Sequence, residues 1–234
     1  GGSETAVVKV ARDLSSYDFR VIVYAEAEGI WDGVRYSKAK NWNPQIPTWL
    51  FIAWRNPTLL SQEIKAEQKW LWVHDVDYGD ALSERRASFI DTVMAVSEWH
   101  KSHLLEMYPY LVDKVVVVGN GIDQSRFIGR EDRVLNRYIY SSSPDRGLEQ
   151  ALTYWPEIKK ADPEAELHVF YGWENYDRMR GPAEFKRRIL ELVKQPGVVV
   201  RGRLGQRELA KEMMKASVLF YPGPHNFEET YCIT

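Results

Sequence analysis

The sequence predicts an α/β protein made of two lobes, and three observations carry that expectation. Apolar runs of strand length take turns with polar or helix-patterned stretches, the signature of a parallel sheet with helical crossovers. The alternation is interrupted once, over 120–136, where an Asn-Gly turn, Gly129 and a dense run of charges leave few apolar residues and read as a crossing between lobes. The residues directly after the strand-like runs are rich in Ser, His, Asp, Arg and Gly, and open α/β sheets bind ligands just beyond the carboxyl ends of their strands. The expected lobes are 1–123 and 124–234.

In order along the chain, the opening Gly-Gly-Ser-Glu precedes apolar positions at Ala6, Val7, Val10, Ala11 and Leu14, the spacing of an amphipathic helix with Ser3 placed to cap it. The glycine pair reads either as a flexible leader or as a loop delivering the chain into a helix N-terminus, where backbone N–H groups can meet a phosphate. Strands are expected over 19–24, 48–54, 70–74, 92–97 and 115–118. After the crossing, strands follow over 137–140, 166–171, 197–200 and 218–221, with helices over 147–160, 183–194 and 206–216. No repeat or low-complexity tract interrupts the pattern.

Composition removes several function classes. The 234 residues hold 31 Lys and Arg against 33 Asp and Glu, a net charge of -2 spread along the chain, so no basic field for nucleic acid exists. One cysteine, Cys232, rules out an internal disulfide framework and fits a reducing compartment. No apolar run is long enough to span a bilayer, and the expectation is a cytoplasmic protein, with the inner face of a membrane as a compatible location. Nine tryptophans supply large surfaces for packing or for stacking on ligands.

The strand ends supply the candidate chemistry. His74, Asp75 and Asp77 follow one strand. His74 can donate to a sugar or phosphate, or equally be a satisfied core histidine. Ser141, Ser142, Ser143, Pro144, Asp145 and Arg146 follow another strand and run into Gly147 at a helix start, where a guanidinium and a helix N-terminus could jointly hold a diphosphate. Gly172, the Arg201-Gly202-Arg203 run, and Gly223, His225, Glu228 and Glu229 follow the remaining strands. Together these ends make a ligand cleft the economical reading. Ser97, between a strand and a helix, reads as an N-cap.

The tracts "GGSETAVVKVARDL", "DTVMAVSEWHKSHL", "VVVVGNGIDQSRF", "SSSPDRGLEQAL" and "RGRLGQRELAKEMMKASVLFYPG", with the ending "EETYCIT", resemble in sequence order the landmarks of the retaining glycosyltransferases of family four, which have the GT-B fold. The resemblance implies two Rossmann-like lobes with parallel sheets and an interlobe cleft. It also implies that both lobes are incomplete in the 234 residues. The first strand of the N-terminal lobe would precede Gly1, leaving a gap, a rearranged sheet or a strand supplied by another chain, and the second glutamate of a paired-glutamate motif would fall past Thr234.

The activity so implied is transfer of a hexose from a nucleotide-diphosphate sugar to a hydroxyl of a glycan, lipid or small-molecule acceptor, with retention of anomeric configuration. Gly1 and Gly2 would let the chain approach the donor diphosphate or the acceptor. Ser142, Arg146 and Gly147 would hold the diphosphate, and Gly172, Arg203 and Leu204 would border the nucleotide. Glu229, or Glu228 if the register is shifted by one, would lie near the donor sugar or ribose, and Glu229 and His74 are the residues expected to serve catalysis. No metal and no cofactor are implied, so the Asp75–Asp77 pair is not read as a cation site. The sequence departs from the family where Tyr140, Ser141 and Ser142 replace a stretch that carries a second basic residue, because hydroxyls can donate to phosphate without neutralising it. Two alternatives stand beside this reading, a non-catalytic nucleotide-sugar binding protein and another GT-B enzyme such as a sugar-nucleotide epimerase. Peripheral membrane contact and oligomer formation are compatible with all of them.

Overall fold

A computed structural model describes residues 2–61, 64–223 and 230, and the chain divides into two compact units at Gly121/Ile122, with Thr230 returning to the first. The predicted glycine pair falls partly outside the described residues, as do His225, Glu228, Glu229 and Cys232.

The first unit begins with α1 (Gly2–Ser16), which starts one residue ahead of the expected cap, so Ser3 lies inside its first turn. A small sheet follows, built from β1 (Ile22–Ala25), β2 (Gly29–Trp31) and β3 (Val34–Lys38) in the order β1-β3-β2. β1 runs parallel to β3, while β2 and β3 form a hairpin. The remaining strands are β4 (Thr48–Trp54), β5 (Ala66–Trp72), β6 (Thr92–Ala95) and β7 (Val115–Val117), all parallel and ordered β4-β5-β6-β7. The one-turn helix α2 (Glu84–Ala87) and then α3 (Glu98–Met107) fall in the β5–β6 and β6–β7 connections.

Alternation along these strands separates two apolar layers. Ala53, Leu71, Val73, Val93 and Ala95 join Leu104 and Leu111 on one face of the sheet. Trp72, Met94 and Val96, with Ile52, Trp54 and Trp70, meet Ala6 and Val7 of α1 on the other.

The second unit holds β8 (Val134–Tyr140), α4 (Leu148–Ala161), β9 (Glu166–Phe170), α5 (Glu174–Arg178), α6 (Ala183–Leu192), β10 (Val198–Gly202), α7 (Gln206–Lys215) and β11 (Ala216–Leu219). Its four strands are parallel and ordered β10-β9-β8-β11. The chain therefore builds outward from β8 through β9 to β10, then crosses back to add β11 on the other side of β8, which puts a topological switch point between β8 and β11. α4 buries Leu148, Ala151, Leu152 and Trp155 against Tyr140, Leu167 and Val169. The indole N–H of Trp155 is satisfied by the Pro196 carbonyl at 2.9 Å, so the largest fully buried side chain of the unit carries no orphaned donor. α7 packs Leu209 and Met213 on the opposite face, over Ile139, Phe170 and Ala216.

Both units are α/β with a four-stranded parallel sheet, as the alternation of apolar runs predicts, and the helices expected over 147–160, 183–194 and 206–216 are α4, α6 and α7. The sequence reading missed the β2–β3 hairpin. It also placed Phe19 in a strand that begins only at Ile22, and began β5 too late.

Candidate functional site

The switch point of the second unit gathers the serine tract, Arg146 and the start of α4. β8 ends at Tyr140, whose ring is fully buried and whose hydroxyl donates to the Ser143 carbonyl at 2.8 Å. Burial is the main force raising the phenol of Tyr140, so it stays protonated and available as that donor. The Arg146 N–H donates to the same carbonyl at 2.9 Å, closing the turn that leads into the helix. Ser141 and Ser142 are each only 8 % exposed, and the Ser141 hydroxyl has no partner although it is buried.

Gly147 is the N-cap of α4, with φ +103° and no side chain of its own to cap the helix, and the Leu148 N–H of the first turn meets the Tyr140 hydroxyl. The first intrahelical bond runs from the Ala151 N–H to the Gly147 carbonyl at 3.0 Å, so the N–H groups of Leu148, Glu149 and Gln150 lack helical acceptors. Glu149 would oppose an anion there, but Arg188 pairs with it, Nη2 to Oε2 at 2.9 Å and Nε to Oε1 at 2.6 Å.

On the β11 side the Phe220 N–H extends the ladder to the Ile139 carbonyl at 2.8 Å, and the chain then comes against the helix start at Gly223. A Cβ on Gly147 would lie 3.0–3.1 Å from the Gly223 backbone. On the β9 side Tyr171 has φ +121°, outside the usual range of a side-chain-bearing residue, and its N–H donates to the Gly202 carbonyl at 3.0 Å. A Cβ on the next residue, Gly172, would fall 2.0 Å from the Glu174 carboxylate. A mainly apolar pocket lined by Ser142, Pro144, Leu148, Tyr171, Trp173 and Val200 joins this strand end to the first turn of α4. Lys186 Nζ sits 5.3 Å from the Trp173 ring. Arg203 is exposed, and Leu204 packs under α7 against Ile139, Phe170 and Ala216.

In the first unit, His74 follows β5 with its ring 5.0 Å from Trp72 and 6.5 Å from Trp54. Burial, with Arg55 adding to it, pushes the imidazole down to about 4, so His74 is neutral near pH 7. His74 Nε2 and the indole nitrogens of Trp54 and Trp72 are all buried without partners.

The loop behind His74 is pinned on every side. The Tyr78 hydroxyl accepts from the His74 and Asp75 N–H groups at 2.9 and 3.0 Å. The Tyr108 hydroxyl accepts from the Tyr78 N–H at 2.9 Å and donates to Asp77 at 2.6 Å. Asp75 is held bidentately by Arg55, through Nε to Oδ2 at 2.8 Å and through Nη2 to Oδ1. Both aspartates are thus engaged with protein partners. His100 Nδ1 lies 3.4 Å from the Val96 N–H, leaving Nε2–H to donate to the Asp75 carbonyl at 3.0 Å. Ser97 caps α3, accepting from the His100 N–H at 3.0 Å, and its hydroxyl donates to the Thr230 carbonyl at 2.7 Å. Thr230 Oγ1 in turn donates to the His74 carbonyl at 2.8 Å.

Of the residues chosen from sequence, Ser142, Arg146 and Gly147 meet at one place, and Gly172 borders it. His74 and Gly2 belong to the first unit, Gly2 in the opening turn of α1. Gly1 and Glu229 lie outside the described residues. Arg55, Tyr78, Tyr108 and the tryptophan pair were missed. Arg55 directly follows a strand, so the rule that selected His74 should have reached it.

A search of known structures gives the comparison that decides the architecture. The crystal structure of a glycosyltransferase from Rickettsia africae ESF-5 matches with a TM-score of 0.70 at 15% identity, over 95% of this chain and 70% of that one. Its fold is shared with that glycosyltransferase. The α/β units with parallel sheets are accordingly consistent with the Rossmann-like lobes of a GT-B protein. TarM of S. aureus, in a mutant complex with UDP, aligns over 66% of this chain and 36% of its own, with a TM-score of 0.43 and 13% identity. The pneumococcal O-GlcNAc transferase GtfA aligns over 60% of this chain and 30% of its own, with a TM-score of 0.40 and 15% identity. The chain thus spans about a third of the length of those two proteins. No family model matches the chain, and no curated protein does. Among the described residues, no helix is long and apolar enough to cross a membrane, and no group of His, Cys, Asp and Glu could hold a metal ion.

Proposed function

We propose that the chain is part of a glycosyltransferase that moves a hexose from a nucleotide-diphosphate sugar to an acceptor hydroxyl with retention of anomeric configuration. The observation that carries this reading is the glycine-capped N-terminus of α4 at the β8/β11 switch point, closely approached by the Gly223 backbone and flanked by Arg146 and the buried serines. Such a place offers what a diphosphate needs, namely backbone N–H donors, the positive end of a helix dipole and a guanidinium.

In the reaction the bond from the anomeric carbon to the diphosphate oxygen breaks, and negative charge accumulates on the departing phosphate. Arg146 and the N–H groups of Glu149 and Gln150 stabilise that charge. Ser142 donates a hydrogen bond to it but adds no charge. Gly172, Arg203 and Leu204, after β9 and β10, border the nucleoside in this reading. Neutral His74 supplies a hydrogen bond to the sugar in this scheme, and Glu229 orients sugar or ribose hydroxyls by accepting from them. No metal is needed for the charge to be met. The acceptor is a glycan, lipid or small molecule.

A thermal-shift screen of the chain against UDP-, GDP- and ADP-hexoses tests the donor assignment. Stabilisation by one nucleotide class, lost in Arg146→Ala, is expected. Failure of every class to stabilise the protein contradicts it. Proton NMR of the first product formed by the full-length protein then reads the anomeric configuration, and an inverted product rejects the retaining mechanism.

A further inference from the structure

At the carboxyl end of β4 the chain puts an arginine where the backbone favours glycine. Arg55 has φ +56°, a left-handed conformation that is strained for a residue with a side chain and free for glycine. Its N–H donates to the Trp72 carbonyl at 2.9 Å, so the junction with β5 holds the residue there. Strain of this kind persists where a functional site uses the side chain that carries it.

That side chain is fixed in place by the fold. The guanidinium carbon lies 5.6 Å from the centre of the Trp54 ring, and Nε and Nη2 grip Asp75, Nε to Oδ2 at 2.8 Å. Asp75 is anchored in turn, its N–H meeting the Tyr78 hydroxyl at 3.0 Å. The fork leaves the Nη1 hydrogens on the arginine and further lone pairs on both carboxylate oxygens. The two side chains are 39% and 36% exposed, so a ligand can reach these groups. Close by, the indole N–H groups of Trp54 and Trp72 and Nε2 of His74 are buried without partners, and Trp72 is only 5% exposed. Orphaned polar groups are rare in a folded interior and demand an explanation. A binding site at the carboxyl ends of two parallel strands supplies one.

The charges say which ligand fits. Arg55 feels two carboxylates, Asp75 and Glu4, while His74 is neutral near pH 7. A phosphate or carboxylate entering here would therefore be repelled by two acids as it approached a guanidinium that is already paired. A hydroxyl meets no such conflict, since it accepts from an N–H and donates to a carboxylate oxygen at once. Two neighbouring hydroxyls on one ring match a guanidinium and a carboxylate held side by side.

We propose that Arg55 and Asp75 form a sugar-binding site in the first unit, which takes a vicinal diol of a neutral pyranose, the acceptor of the transfer. Only the role of that sugar as acceptor rests on the glycosyltransferase reading, whereas the diol site rests on the geometry of the pair. Trp54 is a positioning residue, because its ring keeps the guanidinium oriented toward Asp75.

The test is NMR of the 234-residue chain, following the Arg55 Nε–H, the Arg55 and Asp75 amides and the Trp54 indole N–H. The probes are methyl glycosides of glucose, galactose, mannose and N-acetylglucosamine, with inorganic phosphate as an anion, uridine as a ribose diol and cyclohexanol as a ring with one hydroxyl. At least one glycoside is expected to shift these signals saturably, and phosphate and cyclohexanol are not. Arg55→Lys, which keeps the charge and loses the fork, and Asp75→Asn should each weaken that glycoside by roughly tenfold or more. Arg55→Gly should abolish its binding with the urea midpoint of unfolding kept, because glycine relieves the left-handed backbone as the exposed ion pair is lost. No shift with any glycoside, or glycoside binding that survives all three variants, overturns the proposal. Saturable binding of phosphate at Arg55 overturns it as well, and so do shifts with uridine alone, which would give the diol to a nucleoside. A nucleoside diphosphate that shifts Gly147 while no glycoside shifts Arg55 separates failure of this site from failure of the donor assignment.

Discussion

A Cβ placed on Gly147 would stand 3.0 Å from the carbonyl carbon of Gly223. That approach joins the N-terminus of α4 to the chain leaving β11, two segments that meet only because β11 returns to the far side of β8. Gly147 also has φ +103°, which a side chain disfavours. Replacing it therefore strains the backbone and pushes the two segments apart at once.

Gly147→Ala should destabilise the protein by about 1–3 kcal/mol, read from denaturant unfolding, and Gly147→Val by more. It should also weaken diphosphate binding, because the donors of the α4 first turn move. Unchanged stability in both variants would mean that the approach is relieved without cost.

Tyr108→Phe removes the hydroxyl that accepts from the Tyr78 N–H and donates to Asp77. A half-buried N–H then loses its partner, at a cost of about 1–2 kcal/mol. Phe keeps the ring in the apolar core, so the loss belongs to the hydroxyl. Urea unfolding of the variant should show it. A change within error would show that water replaces the hydroxyl freely.

His74 predicts a pH dependence. Its folded value of about 4 lies below the ordinary 6.5, so the unfolded chain binds the extra proton first. The stability contributed by neutral His74 is full above about pH 6.5 and is lost as pH falls toward 4. Buried His100, also lowered, acts in the same direction. Unfolding free energy measured from pH 7 to 4.5 should fall more steeply in the native chain than in His74→Gln, which cannot titrate. Identical slopes would remove His74 from the account.

Much of the second unit was legible because its signals are local. α4, α6 and α7 have helical periodicity, and the serine tract running into Arg146 and Gly147 marks a strand–turn–helix unit without any knowledge of the sheet. The Gly147–Gly223 approach was not legible, since it depends on strand order. The β2–β3 hairpin escaped because its strands are short and largely exposed, β2 with only Gly29, Ile30 and Trp31 and β3 interrupted by Arg35, Ser37 and Lys38, with Val34 their only fully buried residue. β5 was begun too late because Glu67, Gln68 and Lys69 break its apolar run, although the β4 ladder holds that stretch in the sheet. The clamp of Tyr78, Tyr108 and Asp77 is a tertiary arrangement of tyrosines whose hydroxyls, rather than their rings, do the positioning. Sequence patterning sees the rings alone.

The central claim is that Arg146 and the N-terminus of α4 hold the diphosphate of a nucleotide sugar. Calorimetric titration of the chain and of Arg146→Ala with a nucleoside diphosphate, and with the corresponding nucleoside as the phosphate-free control, tests it most directly. The account predicts that Arg146→Ala weakens the diphosphate by about 1.5–3 kcal/mol, roughly ten- to a hundredfold, with nucleoside affinity and unfolding free energy nearly unchanged. Equal loss for nucleoside and diphosphate, or a loss of stability with diphosphate affinity intact, would contradict it.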